Sequence, residues 1–128
     1  LTHQPTKISA EANERRSQAE NRQVAIFRLR LRLAVQVRCE TRLDASPSSR
    51  WKSRVRGGKI AVNPAHADFP SLLAEGLDYL AAADWDAKLA AQALSCSTTQ
   101  LVRFLKDEPT AFQQFNQQRA ERGLRPLT

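Results

Sequence analysis

Methionine is absent from the 128 residues, so Leu1 is not expected to be a native start, and the chain reads as a fragment of a longer protein. Cysteine is nearly absent: Cys39 and Cys96 stand far apart in the sequence. Two cysteines cannot build a disulfide framework, and without a secretory context both are expected as free buried thiols. Histidine occurs only as His3 and His66, with no metal-ligand spacing around either, so neither a metal nor a cofactor is expected. No apolar run reaches the roughly 18 residues a membrane-spanning helix needs, and no signal-peptide pattern opens the chain. Ser17, Ser53 and Ser97 each lack a neighbouring base and orienting group, so the residues alone do not argue for a catalytic site. A length of 128 residues holds one compact domain or two very small ones and excludes a large multidomain enzyme.

What the chain does have is positive charge, unevenly spread. The net charge is +7, with a sequence pI of about 10.3. Residues 1–59 carry 14 Lys+Arg against 5 Asp+Glu, whereas residues 60–128 carry 6 against 8. Such asymmetry points to a polyanion partner for the first half and a different task for the second. The alternative is a basic face that serves solubility alone.

Ser46-Pro47-Ser48-Ser49 and Gly57-Gly58 punctuate the middle of the chain. They mark residues 44–67 as a basic linker between a segment at 1–43 and a helical segment at 68–128. Pro5-Thr6, between Leu1–His3 and Ile8–Ala10, reads as the turn of a short β-hairpin. The run ending at Arg38 carries two patterns at once. Phe27, Leu29, Leu31, Leu33, Val35 and Val37 alternate as in a strand, while Ile26, Leu29, Leu33 and Val37 fall at helical spacing. Length favours a helix, but the pattern alone leaves a tie.

The second segment reads as helices throughout. Asp68 is expected to cap a helix to about Ala82 that buries Leu72, Leu73, Leu77 and Leu80. Asp84 is expected to cap a second helix to Leu94. Ser97 and Gln100 form a capping-box pattern for a third, to about Lys106. Pro109 opens a fourth and Gly123 stops it, with Phe112 and Phe115 facing inward.

Three constellations bear on function. The first is Arg15, Arg16, Arg22, Arg28, Arg30, Arg32 and Arg38, whose guanidinium forks suit phosphate oxygens. Long Arg stems can also snorkel over apolar surface, and both roles can coexist. The second is Ala90-Ala91, Leu94-Ser95-Cys96, Leu101 and Phe104, a helix-turn-helix pattern presenting Thr98, Thr99, Gln100, Arg103 and Lys106. Ser95 stands where such turns usually have Gly, and residues 84–108 carry three basic against four acidic groups. A near-neutral unit is a poor autonomous DNA reader, which favours a structural or protein-contact role for it. The third is Trp51 to Lys59, where Lys52, Arg54 and Arg56 flank an aromatic that either stacks on RNA or packs on the second segment. Gly57-Gly58 reads as a turn without flanking elements to make a phosphate cradle.

Leu1-Thr2-His3-Gln4-Pro5-Thr6, Glu14-Arg15-Arg16-Ser17-Gln18, Asn21-Arg22 and the Arg/Leu run together resemble the distal catalytic domain of class I peptide chain release factors. In that family a His-x-Pro-Thr-Gly turn, here with Lys7 in place of Gly, is followed by an Arg-Ser-Gln…Asn motif that opens a long basic helix. The motif residues are Arg16, Ser17, Gln18 and Asn21. The resemblance implies a helix over about residues 17–41, with Ser17, Gln18 and Asn21 bracing it. The whole sequence is most similar to the short, codon-independent release-factor-like proteins of bacteria, whose extension residues 60–128 also match, as in Asn63-Pro64, His66-Ala67-Asp68-Phe69-Pro70 and Leu73-Ala74-Glu75.

The resemblance implies an α+β fold, mostly α. A short N-terminal β-hairpin and a long basic helix come first, then a small helical bundle with a helix-turn-helix-like unit. Residues 1–43 are the truncated catalytic-domain part. The family hydrolyses peptidyl-tRNA esters with a Gly-Gly-Gln loop that would precede Leu1. Gly57-Gly58-Lys59 does not replace that loop, so this chain is expected to be inactive on its own. The implied role is ribosome-associated termination or rescue in the cytoplasm. The implied partners are ribosomal RNA and peptidyl-tRNA, with no membrane and a possible protein contact through residues 84–108. Arg15, Arg16, Arg22, Arg28, Arg30, Arg32, Lys52, Arg54 and Arg56 are the expected RNA contacts. Two alternatives stay open: a helix-turn-helix DNA-binding regulator with a basic arm, and a helical protein-interaction module.

Overall fold

The computed structural model describes residues 15–128, with side chains from Gln18 onward. The expected N-terminal hairpin at residues 1–10 lies outside the described residues. Among the described residues there are six helices and one two-stranded antiparallel hairpin, an α+β fold that is mostly α. The helices are α1 (Arg15–Gln36), α2 (Ser49–Arg54), α3 (Phe69–Ala82), α4 (Ala87–Ala93), α5 (Thr98–Lys106) and α6 (Pro109–Glu121). The strands are β1 (Val55–Arg56) and β2 (Lys59–Ile60), paired Val55 to Ile60 and Arg56 to Lys59.

α3 is the central helix. Leu72, Leu73, Leu77 and Leu80 are fully buried, as their helical spacing predicts. Asp68 does precede this helix, but its carboxylate makes no cap bond. It faces Arg54 at 3.3 Å and Arg50 at 3.8 Å instead. The amide of Asp68 donates to Nδ1 of His66 at 2.9 Å, which makes His66 a local bracing group.

α1 lies against α3 and α6 through one face only. Ala34 is buried in the core, and Leu31 and Val35 pack on it. Gln114 of α6 donates to the carbonyl of Val35 at 2.9 Å. The helix ends at Gln36, five residues short of the expected limit. The cause is α3: the amide of Cys39 donates to Asp78 Oδ1 at 3.0 Å rather than back along α1. Arg38 turns with it and sits 2.9 Å from Asp78, with further donation to the carbonyls of Ala34 and Ala74.

From there the chain runs along α3 as a strap. Tyr79 donates to the carbonyl of Ala45 at 3.0 Å, and Ser48 donates to Glu75 through both its amide and its hydroxyl. The Ser48 hydroxyl oxygen then accepts from the amide of Trp51 and caps α2.

Residues 44–67 therefore differ from the expected linker. They hold α2 and the hairpin, and Trp51 is completely buried. Its ring meets Phe104 edge-on at 5.6 Å between centroids, and its indole N–H donates to the carbonyl of Leu94 at 2.9 Å. Gly76 of α3 faces both rings: a Cβ added there would make ordinary van der Waals contact with Phe104 at 3.5 Å and Trp51 at 3.7 Å. Trp51 is thus a core residue and does not stack on RNA. Strands do frame Gly57-Gly58, and both glycines take positive φ, 59° and 79°, as a tight two-residue hairpin turn requires.

The second helix of the C-terminal segment starts later than expected. Asp84 and Trp85 both adopt left-handed conformations, φ 57° and 65°, and Asp86 caps α4 by accepting from Lys88 and Leu89. Asp84 pairs with Arg122 at 2.6 Å. Trp85 is buried, and its carbonyl accepts from Arg119 at 2.9 Å. Ser97 caps α5 through Gln100 as the capping pattern predicts. The amide of Ser97 donates to the carbonyl of Gly58 at 2.9 Å, which ties the hairpin tip to the start of α5. Glu108 caps α6, Pro109 opens it, Phe115 is buried and Phe112 half-buried. Gly123 follows the helix end with φ 74°.

Candidate nucleic-acid interface

α1 owes its form to two apolar stripes. Phe27, Leu31, Ala34 and Val35 share the inner face, at spacings of four, three and one. Ile26, Leu29 and Leu33 share the opposite face, and Val37 continues it just beyond the helix end. These four are between 36% and 52% exposed. The strand-like alternation is the projection of these two faces onto one line of sequence.

The arginines border the outer stripe. Arg22 stands one turn before Ile26 and in line with it, Arg30 lies on one flank, and Arg28 and Arg32 on the other. Arg22, Arg28, Arg30 and Arg32 are all exposed, and none pairs with a carboxylate among the described residues. Residues 21–36 contain no Asp or Glu at all. Like charges one turn apart, as at Arg28 and Arg32, cost an isolated helix about 0.2–0.5 kcal/mol. A polyanion reverses that sign.

Arg15, Arg16 and Ser17 form the first turn of α1, and the positions of their side chains lie outside the described residues. Gln18 is exposed and Asn21 half-buried, with no hydrogen bond from either among the described residues. Arg38 leaves the basic set. Burial lowers its pKa first, with Asp78 acting the other way, and its guanidinium is committed to α3. Asp78 is raised mainly by burial, opposed by the Cys39 amide and Arg38.

Of the middle cations, Arg54 is half-buried against Asp68, while Lys52 and Arg56 are exposed and free of carboxylates among the described residues. Lys59, which sequence reasoning left out of the RNA set, stands directly opposite Arg56 across the hairpin. The signal was available: Gly57-Gly58 flanked by Arg56 and Lys59 is a hairpin pattern that pairs the two cations.

α4 and α5 are joined by the short turn at residues 94–97 and pack on one another. Ser95 adopts φ 62°, the left-handed conformation that Gly more often supplies at this turn. Ala90, Ala91, Leu94, Leu101 and Phe104 are buried in the angle, with Cys96 half-buried beside them. Thr99, Arg103 and Lys106 are exposed on α5, Gln100 and Thr98 half-buried. Lys106 is engaged by the carbonyl of Thr128 at 2.6 Å.

Cys39 and Cys96 are both free thiols; Cys39 is exposed, which corrects its expected burial. Among the described residues no group of His, Cys, Asp and Glu is arranged to hold a metal, and no helix is long and apolar enough to cross a membrane. No family model, curated protein or solved structure matches the chain.

Proposed function

We propose that the chain is a ribosome-associated RNA-binding protein of the release-factor-like kind, acting in translation termination or rescue in the cytoplasm. What supports this most is one feature of α1: four exposed arginines with no acidic residue between positions 21 and 36. Guanidinium groups held on a helix and free of protein carboxylates suit the charge and oxygen geometry of a phosphate backbone. Ribosomal RNA, with peptidyl-tRNA nearby, is the polyanion that the sequence resemblance names. The role assigned to this chain is binding; it contains no Gly-Gly-Gln.

Co-sedimentation with purified ribosomes across a salt series tests the proposal. Replacing Arg28, Arg30 and Arg32 with Ala should weaken binding and flatten its salt dependence, by about one unit of log-log slope for each phosphate no longer neutralised. Unchanged co-sedimentation at every salt concentration would count against it.

A second reading is a helix-turn-helix DNA regulator, favoured by the left-handed Ser95 in the α4–α5 turn. Against it stands the net acidity of residues 84–108. Sequence-dependent binding to duplex DNA, abolished on changing Gln100 and Arg103, would support this reading over the first.

A further inference from the structure

Between Asp44 and Asp68 the sequence has five cations, Arg50, Lys52, Arg54, Arg56 and Lys59, and no acid. Asp68 engages two of them, Arg50 and Arg54. Arg56 and Lys59 are exposed and face each other directly in the antiparallel register. Their strand neighbours Val55 and Ile60 form the other cross-strand pair and pack toward the core. Alternation along a strand therefore turns Arg56 and Lys59 together to the solvent side. Directly opposed side chains have Cβ atoms about 5 Å apart, and like charges so placed are destabilising. Cationic side chains often protect an exposed sheet edge, but strands of two residues offer almost no edge to protect.

The hairpin is also fixed in place. Ile60 is buried, and Gly58 accepts from the amide of Ser97 at the start of α5. Two repelling cations are thus held on a short, anchored hairpin with no internal partner among the described residues. An external anion between them would turn the repulsion into a clamp.

We propose that Arg56 and Lys59 form a second phosphate grip, which takes the phosphodiester backbone of RNA at the corner where the hairpin meets α5. This rests on the RNA-binding reading for the choice of polyanion and on the hairpin geometry for the site. It gives the C-terminal segment the positive charge that residues 84–108 lack.

The test is fluorescence anisotropy of the full chain with a labelled RNA duplex and a DNA duplex of the same sequence, over a salt series. Urea unfolding is measured beside it. The variants are R56A/K59A, R56E alone, and R28A/R30A/R32A. R56A/K59A should weaken RNA binding about tenfold and reduce the salt slope by roughly 2, one unit for each neutralised phosphate. R56E places a carboxylate opposite Lys59, so it should raise the urea midpoint while it weakens RNA binding. Stability rising as affinity falls is the mark of a ligand-binding pair rather than a structural one.

RNA affinity unchanged in both hairpin variants overturns the inference; if the α1 variant still fails to hold RNA, the α1 reading stands without it. Weakened binding in the hairpin variants with full retention in the α1 variant keeps the grip and sinks the α1 reading. Tighter binding to DNA than to RNA through the hairpin overturns the choice of RNA. Absence of any binding by the unaltered chain overturns both.

Discussion

The indole N–H of Trp51 donates to the carbonyl of Leu94, 43 positions along the chain, at 2.9 Å. That bond joins the middle segment to the turn between α4 and α5. Trp51 is wholly buried against Phe104, so its replacement is felt in the core. Trp51→Ala should cost about 3–5 kcal/mol through the cavity it leaves. Trp51→Phe keeps most of the packing but leaves the Leu94 carbonyl unpaired, at about 1–3 kcal/mol. Urea unfolding of the two variants checks the order.

Arg38 and Asp78 make a half-buried pair that holds the end of α1 on α3. Arg38→Met leaves the Asp78 carboxylate with the Cys39 amide as its remaining partner, and should cost about 2 kcal/mol. Removing the guanidinium takes away an influence that lowers the Asp78 pKa, which burial already raises. A raised folded-state carboxylate pKa means the folded state takes up the proton first. The stability of Arg38→Met should therefore rise as pH falls below neutral toward the ordinary carboxylate range. Unfolding midpoints of the variant and the parent from pH 7 to 5 test this, with the difference between them shrinking at the acid end.

Ser95 carries φ 62° without the freedom of glycine. Ser95 is exposed, so Ser95→Gly should relieve strain without disturbing the packing and stabilise the chain by up to about 1 kcal/mol. Ser95→Val, with a branched Cβ, should destabilise it. Thermal midpoints of the pair decide.

Burial pushes the Cys96 thiol up to about 11 from 9.0. The folded state then holds its proton where the unfolded chain has released it. The contribution is full below pH 9 and is lost as pH rises toward 11. Partial exposure of Cys96 reduces the effect to about 1–2 kcal/mol. Cys96→Ala should flatten the decline in urea midpoint between pH 9 and 11 relative to the parent.

Much of the helical C-terminal segment was legible in the sequence. Ser97, Pro109 and Gly123 mark element ends that local chemistry sets, and the burial of Leu72, Leu73, Leu77 and Leu80 follows from spacing. Asp68 stands at the expected helix start but turns its carboxylate to Arg50 and Arg54 instead of capping. Asp84 misled because it and Trp85 adopt left-handed conformations, which moves the cap to Asp86. α1 read as a tie because its two opposite apolar faces imitate a strand. Its early end depends on Asp78, 39 residues from Cys39, and no local pattern carries that. Residues 44–67 read as a linker because Pro, Ser and Gly punctuate them, yet one buried Trp51 and one buried Ile60 fix them to the core. Of the candidate site, the exposure of Arg22, Arg28, Arg30 and Arg32 was anticipated. The pairing of Arg56 with Lys59 needed the hairpin register.

Whether the arginines of α1 hold ribosomal RNA in preference to other polyanions is decided by competition. The labelled chain is titrated with purified ribosomes in the presence of a large excess of duplex DNA. Ribosome binding should survive the DNA and fall when Arg28, Arg30 and Arg32 are replaced. Displacement of the chain from ribosomes by DNA, with the triple variant behaving like the parent, would contradict the proposed role of α1.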